Sequence, residues 1–247
     1  MLTLKKENNI YVLSLENKPV NALSIDFISE LYSIIHELSK IHDIKGLIVS
    51  SNLKHFCAGA DLKERASMSK EESIDTVYSI KSLIAKILNF PFPTLSLING
   101  ACLGGGLELA CACDFRLCSN DAIFSLPETS LGIIPGAGGT QLLPRIVGLA
   151  NAKKMIFTSE KLDSASALSC GLVDSVHSKT KLLSEGIEFM SRCTSSSSLA
   201  LKSAKRAIDS GYGIDLKKGF NIEFEELFKK PIFNLSRLVT KRSSPTT

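Results

Sequence analysis

Residues 101–110 read Ala101-Cys102-Leu103-Gly104-Gly105-Gly106-Leu107-Glu108-Leu109-Ala110. Three glycines stand directly before a run that otherwise looks helical. A glycine inside a helix costs about 1 kcal/mol relative to alanine, so three together need a use. The apolar run before them, Thr94 to Ile98, reads as a strand that closes on Asn99-Gly100. The spacing therefore predicts a strand, a glycine turn and a helix starting near Gly105. The first N–H groups of a helix have no internal partner and carry the positive end of its dipole. Glycines there let a ligand approach the backbone closely. The junction reads equally as an anion or oxyanion site and as a close helix–sheet contact. Glu108 adds to the first reading. It sits in LELACA with no lysine or arginine within one helical turn. A carboxylate buried in apolar surroundings has a raised pKa and is a candidate for function.

Working outward, two more loops have the same texture. His55 to Lys63, HFCAGADLK, follows a predicted strand ending near Ser50, and its small residues expose backbone donors. Leu126 to Thr140, LPETSLGIIPGAGGT, carries a second carboxylate, Glu128, just after Pro127. Two N–H groups from separate loops could converge on one carbonyl oxygen and stabilise the charge that develops there.

Strands are expected at Ile10–Leu15, Gly46–Val49, Thr94–Ile98, Phe115–Cys118 and Ala122–Ser125. A helical stripe of Ile28, Leu31, Ile35 and Leu38 predicts a helix over 24–42. Ser69 and Glu72 form a capping-box signature for a helix reaching Asn89, with Ile74, Val77, Tyr78, Ile84, Ile87 and Leu88 on one face. Pro91 and Pro93 stop it. Further helices are expected from Thr140, Asn151 and Ser164, with Gly148 and Gly171 as C-caps. Strands recurring between helices indicate an α/β fold with a covered, mainly parallel sheet. After about Thr194 the pattern becomes helical only. Two regions are expected, a core over 1–194 and a helical region over 195–247, whose apolar faces need a partner surface.

The bulk numbers narrow the class. The chain has 247 residues, 44% hydrophobic and 22% charged, with a formal net charge of +4. That is ordinary for a globular protein and mildly favours an anionic ligand without demanding nucleic acid. The seven cysteines are odd in number and form no CxxC pair, and the four histidines share no metal-ligand spacing. Reduced thiols and no metal are expected. No apolar run is long enough to span a bilayer, and the first residues enter a strand pattern rather than a leader. A cytoplasmic protein, or a mature chain of the mitochondrial matrix, is expected.

HFCAGADLKE, INGACLGGGLELACACDFR and SLPETSLGIIPGAGGTQLLPRIVG together resemble the enoyl-CoA hydratase (crotonase) superfamily. The similarity runs from Ile10 to about Glu226, with three motifs in the family's order and spacing. ADLKERASMS and LACACDFRL are most similar to the methylglutaconyl-CoA hydratase and AU-binding-protein branch. The resemblance implies a crotonase-like spiral of ββα units with a C-terminal α-helical trimerisation region, and a homotrimer or a hexamer of two trimers. It implies a coenzyme A thioester substrate, with no tightly bound cofactor. By position, the N–H groups of Ala60 and Gly105 match the family's oxyanion hole. Glu108 and Glu128 match its two catalytic carboxylates, and Gly136 the glycine that helps hold water. Ala58, Ala60, Leu62 and Lys63 match the segment that meets the adenosine end of coenzyme A.

Retention of both glutamates implies a hydratase, in fatty-acid or leucine catabolism. An enoyl-CoA isomerase is the alternative, in which only the residue matching Glu128 is generally needed. RNA binding, associated in that branch with a lysine-rich first helix, is disfavoured: over 24–42 Lys40 is the only lysine, against Asp26, Glu30 and Glu37, a charge pattern that repels phosphate. The candidates for the wall of an acyl pocket are Ala66, Met68, Ile74, Val77 and Tyr78. The chain departs from the family at its end, where PIFNLSRLVTKRSSPTT stands in place of a segment like F-x-E-K-R-x-P.

Overall fold

The computed structural model describes residues 1–229. Two strands open the chain, β1 (Leu2–Glu7) and β2 (Ile10–Leu15), paired antiparallel around Asn8. Asn8 has φ 57°, a left-handed conformation that asparagine tolerates in a tight hairpin. The sequence reading placed only the second of these strands. The polar run Lys5-Lys6-Glu7 lies exposed at the sheet edge, so β1 lacks the apolar signal of an interior strand.

The chain continues through α1 (Ile25–Leu38), β3 (Gly46–Ser51), α2 (Leu62–Ala66), α3 (Lys70–Leu88) and β4 (Thr94–Ile98). Next come β5 (Ala101–Leu103), α4 (Gly105–Cys111), β6 (Phe115–Ser119) and β7 (Ile123–Ser125). A 3-10 turn (Pro127–Leu131), α5 (Gly139–Thr158), β8 (Leu162–Asp163), α6 (Ser164–Ser169), β9 (Ser175–His177) and α7 (Leu182–Cys193) complete this part. The main sheet runs β1-β2-β3-β4-β6-β9, parallel from β2 onward. Strand β4 is buried along its whole length and β3 along all but its last residue, as parallel strands covered on both faces must be. A small second sheet, β5-β7-β8, stands beside the first.

Two apolar clusters cover the main sheet. One joins α1, α3, α4 and α5 to residues such as Leu13, Leu47 and Val49. The other packs Leu182 and Met190 of α7 on Val12, Ile48, Leu95, Leu97 and Leu117. Gly186 brings α7 close: a Cβ there would lie 2.6 Å from a methyl of Leu97. The sequence reading placed neither β9, which has three residues, nor α7, although Leu182, Gly186 and Met190 of the latter recur on one face.

Three expectations need correction. α1 stops at Leu38 rather than His42, where Ser39 turns the chain by donating its hydroxyl to the carbonyl of His36. The capping box of α3 is present in both directions, but the buried face is Thr76, Ile80, Leu83, Ile84 and Ile87. Ile74, Tyr78 and Leu88 are exposed. A polar residue can occupy the buried row because the Thr76 hydroxyl donates to the carbonyl of Glu72, 2.8 Å away. The glycine turn does not lead straight into a helix either: the three-residue strand β5 intervenes. Gly148 (φ 78°) does interrupt α5, and Gly171 (φ 75°) follows α6.

The chain divides into two compact units after Cys193. The second, as far as it is described, contains α8 (Ser198–Gly211) and α9 (Leu216–Phe228), which pack on each other with Gly211 and Gly219 in close approach. Glu226 is its one buried residue on α9, ion-paired with Arg206 and Lys229. Phe220, Phe224, Leu227 and Phe228 are exposed. The divergent terminal segment, with Lys241, Arg242 and Pro245, lies outside the described residues.

Candidate active site

The three glycines have three different reasons. Gly104 has φ 51° and ψ −126°, which a side chain resists, and a Cβ there would lie 3.0 Å from Oε1 of Glu128. Gly106 packs α4 against the 55–63 loop, where a Cβ would lie 2.4 Å from the carbonyl oxygen of Cys57. Gly105 presents its N–H beside that of Ala60: a Cβ built on Gly105 would be 3.8 Å from the Ala60 nitrogen. Among the described residues, neither of these two N–H groups has an acceptor. The junction therefore combines a close backbone contact at Gly106 with two N–H groups, of Gly105 and Ala60, left without acceptors.

The 55–63 loop is held from the segment before α1. Asn21 is fully buried with φ 55°. Its Nδ2 donates to the Ser51 hydroxyl (2.8 Å) and to the carbonyls of His55 (3.1 Å) and Phe56 (2.9 Å). Backbone bonds from Ala58 to Val20, and from Leu23 to Gly59, extend the lacing to the residue before Ala60. The result is a rigid mount for the Ala60 N–H.

Glu108, on α4, is 3% exposed. Its Oε1 accepts from the N–H groups of Gly139 (2.7 Å) and Ala137 (2.9 Å). Burial pushes its carboxyl above the ordinary range, and those two donors and the Arg65 charge oppose the shift. Glu128 lies in the 3-10 turn, pinned where Thr129 bonds to the carbonyl of Ile156 and the hydroxyl of Ser159. Its Oε2 is buried without a hydrogen-bond partner. Burial, with the Glu108 charge adding to it, raises its carboxyl to about 7. Two carboxylates thus share one site with different support: one held by amide donors, one bare.

Both face a cavity of about 290 Å3, which Gly104, Gly105, Ala58, Ala60, Leu62 and Gly136 also line. Leu131, Ile133 and Ile134, each apolar and at least half exposed, also line it. Of the residues singled out from the sequence, Glu108, Glu128, Ala58, Ala60, Leu62, Gly105 and Gly136 come together here. Lys63 does not line the cavity; it is exposed on α2. Of the expected acyl-wall residues, Val77 lines it and Ile74 and Tyr78 line a neighbouring hollow, whereas Ala66 and Met68 line neither. Sequence reasoning missed Arg65, whose Nε is buried and unpartnered, and Asn21. A lone asparagine between valine and alanine in PVNAL was the only available signal for the latter.

Residues 5–238 match the family model described as enoyl-CoA hydratase/isomerase. The chain is 40% identical to the mitochondrial methylglutaconyl-CoA hydratase of Mus musculus, over 88% of this chain and 71% of that protein. It is 43% identical to an enoyl-CoA isomerase/hydratase of Mycosarcoma maydis, over 72% of this chain and 65% of that one. The crystal structure of an enoyl-CoA hydratase from Bacillus anthracis superposes with a TM-score of 0.92 at 33% identity, covering 99% of this chain and 98% of the other.

Proposed function

The chain belongs to the enoyl-CoA hydratase/isomerase family, and on that premise we propose that it is an enoyl-CoA hydratase. It adds water reversibly to a 2-enoyl-CoA thioester to give a 3-hydroxyacyl-CoA. The observation that carries this reading is the pair Glu108 and Glu128 in one cavity beside two unpaired N–H groups.

The N–H groups of Ala60 and Gly105 would bind the thioester oxygen and stabilise enolate charge. Glu108, whose two amide donors favour its charged form against burial, would take a proton from water as the oxygen bonds to C3. Glu128, whose carboxyl is raised to about 7 and is thus about half protonated at neutral pH, would in its protonated form deliver that proton to C2. Exchange with solvent then returns the proton gained by Glu108 and replaces the one lost by Glu128. The Gly136 N–H would help to hold the water. No tightly bound cofactor takes part, because the coenzyme A moiety arrives with the substrate. Ala58, Ala60, Leu62 and Lys63 would meet its adenosine end.

The test is turnover of crotonyl-CoA by the chain, read as loss of the conjugated thioester absorbance, alongside a 3-enoyl-CoA. Double-bond migration without hydration would favour the isomerase reading, which the Mycosarcoma maydis relative's name keeps in view. We further propose a homotrimer or a dimer of trimers, supported by the exposed phenylalanines of α9. The compartment we assign is the cytoplasm or the mitochondrial matrix, in keeping with relatives named mitochondrial. Cell fractionation tests it, and recovery in a secreted fraction would refute it.

A further inference from the structure

The two loops that carry the proposed thioester donors are joined by a short parallel ladder. The Cys57 N–H donates to the carbonyl of Ala101 (3.1 Å), and the Leu103 N–H donates to the carbonyl of Cys57 (3.0 Å). The next rung in that register would run from the Ala101 N–H to the carbonyl of His55. Both lone pairs of that carbonyl are engaged, by Asn21 Nδ2 (3.1 Å) and by the Ser51 hydroxyl (2.7 Å). The imidazole completes the ladder instead: its Nδ1 accepts the Ala101 N–H at 3.2 Å. Gly100 makes room for the ring, since a Cβ there would lie 3.1 Å from that nitrogen and 2.5 Å from the carbonyl oxygen of Lys54. From this rung one strand of chain runs on from His55 to Ala60, the other from Ala101 to Gly105. His55 itself does not line the cavity.

A ring nitrogen that accepts carries no proton, so the ring in this rung is neutral with its proton on Nε2. The charges that face it are Lys54 beside it in sequence, Lys179 beyond β9, and Asp121 in the turn between β6 and β7; the last two are ion-paired at 3.3 Å. Burial and the two lysines push its pKa below the ordinary histidine value, against Asp121, which favours the neutral ring. Protonation would set two donors against each other and open the rung. We infer that His55 is a positioning residue for the reaction: its neutral imidazole locks the two loops in register, so that the N–H groups of Ala60 and Gly105 meet one thioester oxygen. This rests on the hydratase reading, in which those two groups form the oxyanion site, and it makes their alignment weaken in acid.

Two substitutions test the role. His55→Ala removes the acceptor. His55→Asn keeps one, because the amide oxygen can stand where Nδ1 stood, and it cannot gain a proton. At neutral pH His55→Ala should lower kcat for crotonyl-CoA about tenfold and change KM about twofold or less, because the loss falls on charge that develops in the transition state. His55→Asn should recover to within about threefold of the wild type. From about pH 7.5 to about pH 5, the kcat of His55→Asn relative to wild type should rise at least about twofold, since only the wild type loses its acceptor. The two carboxylates titrate alike in both proteins and cancel from that ratio, which needs no alanine variant and so stands even where alanine unfolds the chain. A flat ratio, an unchanged kcat in His55→Ala, or no rescue by asparagine would each overturn the inference. Calorimetry supplies an arm without turnover. Acetoacetyl-CoA as its enolate puts negative charge on the thioester oxygen, and butyryl-CoA does not. His55→Ala should weaken the first about tenfold and the second about twofold or less, with His55→Asn restoring the first. Equal weakening of both would make His55 merely structural and overturn its positioning role. A wild type that hydrates no 2-enoyl thioester would sink the hydratase, and the calorimetric contrast would still decide the role of His55.

Discussion

At the scale of single residues, the carboxylate pair makes the sharpest claims. Glu108→Gln and Glu128→Gln should each keep the fold and thioester binding. Each should lower hydratase turnover by about 10²- to 10⁴-fold, the usual contribution of one general acid or base. The double variant should lose less than the product of the two, since the groups act as a unit. Full activity in either single variant would exclude the two-carboxylate mechanism. The pH profile follows from the same site. The active form holds one proton on the pair, so kcat/KM should fall on the alkaline side as the pH passes about 7, where Glu128 gives up its proton. Stability carries the same signature. The raised carboxyl binds a proton in the folded chain that it has lost in the unfolded one between pH 4.5 and about 7. That contribution is present below pH 4.5 and lost as the pH rises to 7. Thermal unfolding of Glu128→Gln should therefore decline less across that window than the wild type does, and an identical slope would contradict the assignment. Glu108 was legible from sequence as an acid in an apolar run, and Glu128 as a second carboxylate after Pro127 in the glycine-rich loop. The difference between them was not, because it comes from Ala137 and Gly139, whose amide groups reach Glu108 from another loop.

At the scale of elements, the loop over 55–63 and helix α3 are the informative pieces. Asn21 does not line the cavity, yet three of its hydrogen bonds hold the strand end and loop that lead to Ala60. Asn21→Ala should lower kcat more than it raises KM, because a looser loop misplaces a donor needed most in the transition state. A change confined to stability, with kcat intact at low temperature, would make Asn21 merely structural. On α3, Ser69→Ala should cost about 1 kcal/mol of stability through the lost cap, read by denaturant unfolding. The cap was legible because Ser69 and Glu72 are local neighbours. The buried face was not, because Thr76 satisfies its own hydroxyl within the helix and so enters the core despite its polarity. Asn21 was equally hidden: the partners of its Nδ2 lie thirty or more positions along the chain.

For the whole molecule, the proposed assembly rests on the exposed aromatic residues of α9. Sedimentation at micromolar concentration should give a mass of three or six chains of 26.7 kDa. A clean monomer would refute the proposed assembly. Phe220→Glu/Phe224→Glu should shift the distribution towards monomer by burying charge at that surface. Sequence alone determined the class of fold, its central strands, the first-turn caps and the small-residue loops, since each rests on neighbours a few positions apart. It also carried the family resemblance, because three motifs in a set order are a linear property. Only the tertiary structure decided which N–H groups lack acceptors, which glutamate is held by amides and which is bare. It alone set the His55 ring against the Ala101 N–H. Those properties are burial and proximity between segments far apart in the chain, and they exist only once the sheet and its helices have brought the loops together.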